Sequence, residues 1–418
     1  MKPIKIVHFA DIHLGMENYG KIDPATGLNT RLADFTKSLD EIVDFSLKEK
    51  IDLVVFAGDA YKTREPSPTF QREFAKRIYR LAAADIPVVM VVGNHDFPNA
   101  LGKADTLEIF PTLAVPNIHI FKKEELQIIS TPAGPIQVAG LPWLVRSHVL
   151  SKTEMAQKNF DDLNNLAAKR VKEKIIYLSS LIKKEIPSIF VGHASIEKAV
   201  YGAERQVTIG SEIVIPLSAF FKTKFNAILM GHLHKHQEIP LSKTGPPIIY
   251  SGSIERVDFG EEKEAKGFVL LELSPKDGSF KSKIFFKKLI SRPFISIRTR
   301  IETTDNNPTQ KIIQQIKKHQ LKEAVVRVII EVPEEKSLEI REGAIREALK
   351  EVSFIAGIIK EIQKGNRLKT EAGFSDELAN LDALGLLEKY LRLQKKTRLR
   401  IEILKKETEK LLEEEMFR

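Results

Sequence analysis

The chain has 418 residues, of which 43% are hydrophobic and 29% are charged, and it contains no cysteine. This composition is too apolar for a disordered protein, and the lack of thiols excludes disulfides and thiolate metal sites. A net charge of +9 is small for this length, so charge alone is weak evidence for a polyanionic partner. No apolar run approaches the roughly 20 residues of a membrane span, and the N-terminus lacks a signal-peptide pattern. We therefore expect a cytoplasmic protein of two or three domains, since one domain averages roughly 150 residues.

Short apolar runs alternate with amphipathic segments over the first two-thirds of the chain. The runs predict strands at 4–9, 51–56, 87–92, 188–191, 227–230, 247–250 and 267–273. The amphipathic segments predict helices at 35–47 and 70–84 and one long helix at 153–185. Apolar strands separated by helices are typical of a sheet that is buried on both faces. The sequence therefore predicts an α/β fold.

Near residue 290 the pattern restarts as a smaller unit. Strands are predicted at 294–301, 325–332 and 355–362, with helices beginning at Pro308 and near Ser337. A linker pattern and a charge-rich amphipathic segment follow this β-α-β-α-β unit. We expect domains at 1–288 and 289–365, a linker at 366–374 and a helical arm at 375–418.

Polar residues stand at the C-terminal end of one predicted strand after another. In open α/β sheets ligands bind outside these ends, so five strand ends would deliver their side chains to one crevice. The five motifs are Asp11-Ile12-His13, Gly58-Asp59, Gly93-Asn94-His95-Asp96, Gly192-His193 and Gly231-His232-Leu233-His234. Each motif alone is common in surface loops, but five in order, each after a buried strand, point to a site.

The residue types in these motifs are carboxylate, imidazole and amide oxygen. Mixed nitrogen and oxygen ligands without sulfur suit manganese, iron or zinc. Seven ligands are too many for one ion, but two ions can share them through a bridging carboxylate, and such ion pairs are the usual device for phosphoester hydrolysis. The predicted metal ligands are Asp11, His13, Asp59, Asn94, His193, His232 and His234.

The motifs resemble those of the calcineurin-like metallophosphoesterases, one for one. More narrowly, the sequence is similar to the SbcD family, the nuclease subunits of SbcCD complexes and of related double-strand-break repair nucleases. The narrower resemblance lies in residues 9–15, 192–195, 250–256, 259–262 and 266–268. It implies a two-layered sheet phosphoesterase core flanked by helices, a small α/β capping domain and a C-terminal helical arm. The capping domain matches by position and pattern only.

The resemblance also implies the division of the ligands, with Asp59 bridging two ions. One ion would take Asp11, His13 and His234, and the other Asn94, His193 and His232. His95 would contact the scissile phosphate and stabilise the leaving oxygen, and Asp96 would orient it. Lys62 stands where some relatives carry a second phosphate-contacting histidine, so it contacts phosphate or lies in a solvated loop. His236 is a weaker candidate for substrate contact.

The implied activity is that of a DNA nuclease with two Mn²⁺, or Mg²⁺, acting on duplex ends as an exonuclease and on single strands as an endonuclease. Its implied partners are DNA, a second copy of the chain bound through 70–84 and 104–110, and an SbcC-like coiled-coil ABC ATPase bound through 375–418. No Walker A motif occurs in this chain. The alternatives are a phosphoesterase for small substrates, which needs neither cap nor arm, and a non-catalytic scaffold, which would not need all seven ligands and His95.

Overall fold

A computed structural model describes residues 2–98, 102–157, 159–202, 212–241, 245–276 and 278–363, and beyond them 387, 391, 400, 402 and 404–408. Contacts divide the chain into one unit of residues 1–299, 307–330 and 341–359 and a second of 300–306, 331–340 and 360–418. The predicted domain boundary at residue 288 stays a prediction. The predicted linker 366–374 lies outside the described residues, as does most of the predicted arm.

Two six-stranded sheets form the core of the first unit. In the first sheet, β1 (Ile4–Phe9), β2 (Leu53–Phe56), β3 (Val88–Val91) and β4 (Ile118–Phe121) run parallel, and β11 (Gly267–Lys276) and β12 (Ser279–Lys288) continue it antiparallel beside β1. In the second sheet, β6 (Gly134–Leu141), β7 (Ser188–His193), β8 (Ala227–Gly231) and β10 (Ile248–Tyr250) run parallel, with β5 (Glu125–Thr131) and β9 (Gln237–Ile239) antiparallel at the edges.

The inner faces of the two sheets pack on each other. Side chains alternate along a strand, so β2 sends Val55 into the cluster shared with the second sheet and Val54 into the cluster shared with helices. Val191 of β7 lies in the inner cluster and Phe190 in the outer one. Because both faces are buried, these strands read as continuous apolar runs, which is why the sequence reveals them.

Helices cover the two outer faces. On the first sheet lie α1 (Thr30–Lys48) and α2 (Pro68–Ala82), and on the second lies α6 (Phe160–Ser180). The side chains of Asn29 and Ser67 cap the first two helices, each accepting a hydrogen bond from a first-turn backbone amide. Short helices complete the unit: α3 (Ile109–Thr112), α4 (Arg146–Val149), α5 (Lys152–Gln157) and the 3-10 helices Leu217–Ala219 and Phe259–Glu261. The predicted core of two sheets flanked by helices is confirmed.

Some element predictions are wrong. The single helix predicted at 153–185 is replaced by the separate α5 and α6, because Asn159 accepts a hydrogen bond from the Asp162 amide and starts a new helix. The sequence patterns also do not predict β5, β6, β9 or β12. In β12 lysines alternate with apolar residues, which is the composition of a protected edge strand.

The smaller unit predicted near residue 290 has the expected order of elements. A three-stranded sheet consists of β13 (Phe294–Arg300), β14 (Val325–Pro333) and β15 (Phe354–Gln363), with β14 in the middle. Two helices connect them, α7 (Pro308–Ile316) and α8 (Glu342–Ala348), and the second follows a 3-10 helix at Glu334–Glu339. Of the helices that the structure describes, none is long and apolar enough to cross a membrane.

Candidate metal centre

Five strand ends of the first unit bring the predicted ligands together. The loops after β1, β2 and β3 carry the ligands of the first sheet, and β7 and β8 supply those of the second. Three groups of possible ligand atoms lie within 4.8 Å of one another: Asp11, His13 and His234; His13, Asp59 and His95; and Asp11, Asp59 and His193. The fold thus joins motifs that are far apart along the chain into one cluster.

Asp59 lies in the middle of this cluster. Its Oδ2 is 3.7 Å from Nε2 of His13 and 3.4 Å from Nε2 of His193. Its Oδ1 accepts a hydrogen bond of 2.8 Å from the backbone amide of His95. One carboxylate oxygen therefore faces imidazoles on two sides, which is the arrangement that a bridging ligand requires.

The ligands on each side of Asp59 converge in pairs. On one side, Nε2 of His13 and Nε2 of His234 are 3.0 Å apart. On the other, Oδ1 of Asn94 lies 2.9 Å from Nε2 of His193 and 3.2 Å from Nδ1 of His232. Lone-pair donors turned towards one another at these distances fit a shared cation, and the nitrogen and oxygen donors suit a transition metal.

Each of three histidines uses its other ring nitrogen for a second hydrogen bond. Nδ1 of His193 donates to the backbone carbonyl of Ala57 at 2.6 Å. Nε2 of His232 bonds a carboxylate oxygen of Glu212, and Nδ1 of His234 bonds one of Glu261, both at 2.7 Å. Such bonds fix the orientation and tautomer of metal-binding imidazoles.

The two outer carboxylates are not among the predicted site residues. Glu212 belongs to no motif, and nothing in its neighbourhood marks it. Glu261 lies in the segment Phe259–Glu262 that carries part of the family resemblance, which is the only signal for it in the sequence. Both are buried, and a buried carboxylate is rare without a partner.

The ligand loops hold strained backbone. The φ angles of Asp11, His13, Asp59 and His232 are 53°, 51°, 62° and 95°. Residues other than glycine rarely adopt this left-handed region, and they persist there when the surroundings fix them. One such contact joins the two sheets, since the amide of His232 donates to both carboxylate oxygens of Asp11, at 3.0 and 3.1 Å.

Two glycines of the motifs are needed because neighbours approach them closely. Gly58 has φ of +94°, and a Cβ there would lie 2.5 Å from Nδ1 of His193. A Cβ on Gly93 would lie 2.2 Å from Oδ1 of Asp59. Side chains at these positions would displace the ligands, as expected for turns where backbone passes close to the site.

Charges within the cluster oppose each other. Burial raises the pKa of Asp11. Burial would also raise the pKa of Asp59, but the imidazoles of His193, His95 and His13 hold it well below its usual range. Burial lowers the pKa of His193, yet Asp59 and Asp11 outweigh it and raise that pKa to about 9. Asp59 is therefore ionised and surrounded by groups that respond to its charge.

Comparison with known proteins agrees with this geometry. The calcineurin-like phosphoesterase model matches residues 4–236. The chain belongs to this family. Over 275 residues it is 26% identical to the SbcD-type nuclease of the SbcCD complex of Staphylococcus saprophyticus and 30% identical to its counterpart in Staphylococcus epidermidis, covering 65% of this chain and 66% of each relative. It is 24% identical to "DNA double-strand break repair protein Mre11" of Methanococcus maripaludis over 277 residues, 65% of this chain and 63% of that one.

The chain thus matches just under two thirds of the length of these curated relatives. The resemblance that the motifs predict is confirmed. Because the matched region is about 65% of the chain, the activity and partners of the relatives' full-length proteins remain proposals for this phosphoesterase.

His95 of the phosphoesterase is oriented by a backbone group. Its Nδ1 lies 2.6 Å from the carbonyl oxygen of Lys62 and therefore donates to it. The prediction that Asp96 orients His95 is wrong, because the Asp96 carboxylate binds other groups. It accepts hydrogen bonds from the amides of Asp59, Ala60 and Gly93 and from the hydroxyl of Thr106. Asp96 therefore fixes the turn that carries the bridging ligand.

A cavity of about 370 Å³ opens beside His95. Its lining includes Lys62, Arg64 and Asn94, so it is basic where it meets the metal centre. Trp143 forms another wall of the centre, with its ring 5.0 Å from that of His232. His236 in contrast stacks on Phe286, which supports a packing role rather than substrate contact.

We predict that Asp59→Asn loses both bound ions. The amide is uncharged and offers one oxygen instead of two, so it cannot bridge. The measurement is manganese per chain by elemental analysis after dialysis. Asp23→Asn is the matched control, because the Asp23 side chain bonds Ala25 and Thr26 of its own turn, away from the site. Two ions retained by Asp59→Asn would contradict the bridging role.

Proposed function

We propose that this phosphoesterase is a manganese-dependent DNA nuclease subunit. It would act as an exonuclease on duplex ends and as an endonuclease on single strands, and process DNA ends and hairpins during repair and recombination together with an SbcC-like ATPase. The observation that supports this proposal most is the convergence of the ligands on Asp59 beside an open basic cavity. The similarity to the staphylococcal SbcCD nucleases supports the choice of substrate.

Two divalent ions, manganese or magnesium, would activate a water and neutralise charge on the phosphate. The remaining steps belong to the chain. Asp59 would hold both ions, and Lys62 and Arg64 would attract the phosphate backbone into the cavity. Since Nδ1 of His95 donates to the Lys62 carbonyl, Nε2 is the nitrogen that would hold a proton for the leaving oxygen.

We predict that His95→Gln keeps its manganese and loses cleavage. Glutamine cannot transfer the proton, and general acid catalysis contributes about 10²–10⁴-fold to such rates. The measurement is the rate on labelled duplex and single-stranded DNA, with manganese and with magnesium. His319→Gln is the matched control, because His319 is exposed. Wild-type cleavage by His95→Gln would contradict the assignment.

The same assay separates the alternatives. A small phosphodiester is included beside the DNA substrates. Hydrolysis of the small substrate without DNA cleavage would support a small-substrate phosphoesterase. Bound metal without hydrolysis of either would support a scaffold that retains the fold.

A homodimer is the proposed assembly. Of the apolar residues predicted for its interface, Leu107 and Phe110 are buried in the core of the first sheet, which is the alternative that the sequence leaves open. Ile109 is exposed, and so are Leu113 directly after α3 and Tyr79 on α2. The proposal therefore depends on these exposed residues.

We predict that the chain is dimeric and that Ile109→Glu with Leu113→Glu makes it monomeric. Two charges would have to be buried at the interface, which is costly. Light scattering at micromolar concentration is the measurement. Leu338→Glu is the control, because Leu338 is exposed and lies outside the proposed interface. A monomeric wild-type chain would count against the dimer.

Residues 375–418 are proposed to bind the partner ATPase. The few described residues of this segment are helical, among them Leu387, Leu391 and 404–408. A helix with an apolar stripe can lie against a coiled coil. We predict that deletion of 375–418 abolishes pull-down of the ATPase while manganese-dependent cleavage by the remaining chain survives. Undiminished binding by the truncated chain would refute this role.

A further inference from the structure

The 3-10 helix Phe259–Glu261 lies between a metal ligand and the three-stranded sheet. Oε1 of Glu261 is 2.7 Å from Nδ1 of His234, and the Glu261 side chain is fully buried. The nearby residues Phe259 and Glu262 contact β13 and β14, through residues that belong to the first unit. Four consecutive residues thus join the sheet to the site, so a shift of the sheet cannot be absorbed by slack chain.

The carboxylate of Glu261 is held from its other oxygen. Oε2 accepts a hydrogen bond of 3.0 Å from the amide of Val257 and lies 2.8 Å from Nζ of Lys266. Lys266 is also fully buried and donates to the carbonyl of His234, at 3.2 Å, and to the hydroxyl of Ser253. A single ammonium group therefore fixes both the backbone of the metal ligand and the carboxylate that orients its ring.

The contacts with the sheet are specific on both sides of Glu261. The Phe259 ring meets the Phe294 ring edge to face at 5.1 Å, and the guanidinium carbon of Arg327 lies 4.2 Å from its centre. Glu262 accepts hydrogen bonds from both the amide and the hydroxyl of Ser296, at 2.9 and 2.6 Å. The sheet thereby holds the turn at two points.

We propose that Glu261 is a positioning residue for His234 and that the contacts of Phe259 and Glu262 with β13 and β14 determine its position. Metal affinity on the His234 side of Asp59 then depends on these contacts with the three-stranded sheet. The inference rests on the proposed metal centre, and it goes beyond it by assigning to that sheet an effect on one of the two ions.

The other side of the centre is held differently. Glu212, the partner of His232, accepts hydrogen bonds from the hydroxyls of Ser195, at 3.0 Å, and Tyr201, at 2.7 Å. These partners lie in the loop after β7, away from β13 and β14 in the chain. A change at the Phe259–Glu261 turn should therefore weaken one ion and leave the other in place.

Titration of Mn²⁺ into the full chain after removal of metal by a chelator tests the proposal. Free Mn²⁺ is counted by electron paramagnetic resonance. We expect Glu261→Gln to weaken one of two ions by about 10–100-fold, the usual effect of losing an outer partner. We expect Glu262→Ala, which lies outside the buried ion pair, to weaken the same ion by a smaller factor and to regain the wild-type cleavage rate at saturating Mn²⁺.

Glu302→Ala is the matched control, because Glu302 pairs with Arg300 on the protein surface. It should bind both ions as the wild type does, and circular dichroism should show all three variants folded. Wild-type binding by Glu261→Gln overturns the positioning role, and wild-type binding by Glu262→Ala overturns the dependence on the sheet; the latter test holds even if Glu261→Gln fails to fold. If the expected binding losses occur in a chain that cleaves no DNA, the inference stands and the proposed nuclease function fails.

Discussion

The buried, ionised carboxylate of Asp59 is the constraint on which the rest of the site depends. A charge inside a protein is costly unless partners surround it, and here the partners are the imidazoles of His13 and His193 and the amide of His95. The turn that places this carboxylate is itself fixed by Asp96, which binds the Asp59 amide at 2.7 Å. Two carboxylates therefore divide the work: one faces the ions and the other holds its backbone.

The two-sheet fold is what allows one carboxylate to meet ligands from distant parts of the chain. Asp11 and Asp59 follow strands of the first sheet, whereas His193 and His232 stand at the ends of strands of the second. The hydrogen bonds between Asp11 and the His232 amide connect the two sets. Left-handed backbone at four ligands is tolerated because these contacts and the packed inner faces leave no alternative conformation of similar energy.

The site also extends beyond its ligands. Glu212 and Glu261 orient two imidazoles from outside, and Lys266 balances the charge of Glu261. An ion on the His234 side would thus have a partner carboxylate neutralised by a lysine, whereas one on the His232 side would have a partner bound by hydroxyl groups and an imidazole. The two positions differ in their outer charge even though their inner ligands are alike.

The sequence by itself determined most of the strands, the seven candidate ligands and the family, because apolar runs and strand-end motifs are local and each residue type carries its own chemistry. It did not determine that Asp96 binds the Asp59 turn, that Glu212 and Glu261 orient histidines, or that α6 begins after Asn159. Asp96 and Asp59 are 37 residues apart, and no periodicity connects them. Only the tertiary structure decided these contacts, because a buried polar group takes whichever partner the packed sheets bring within hydrogen-bonding distance.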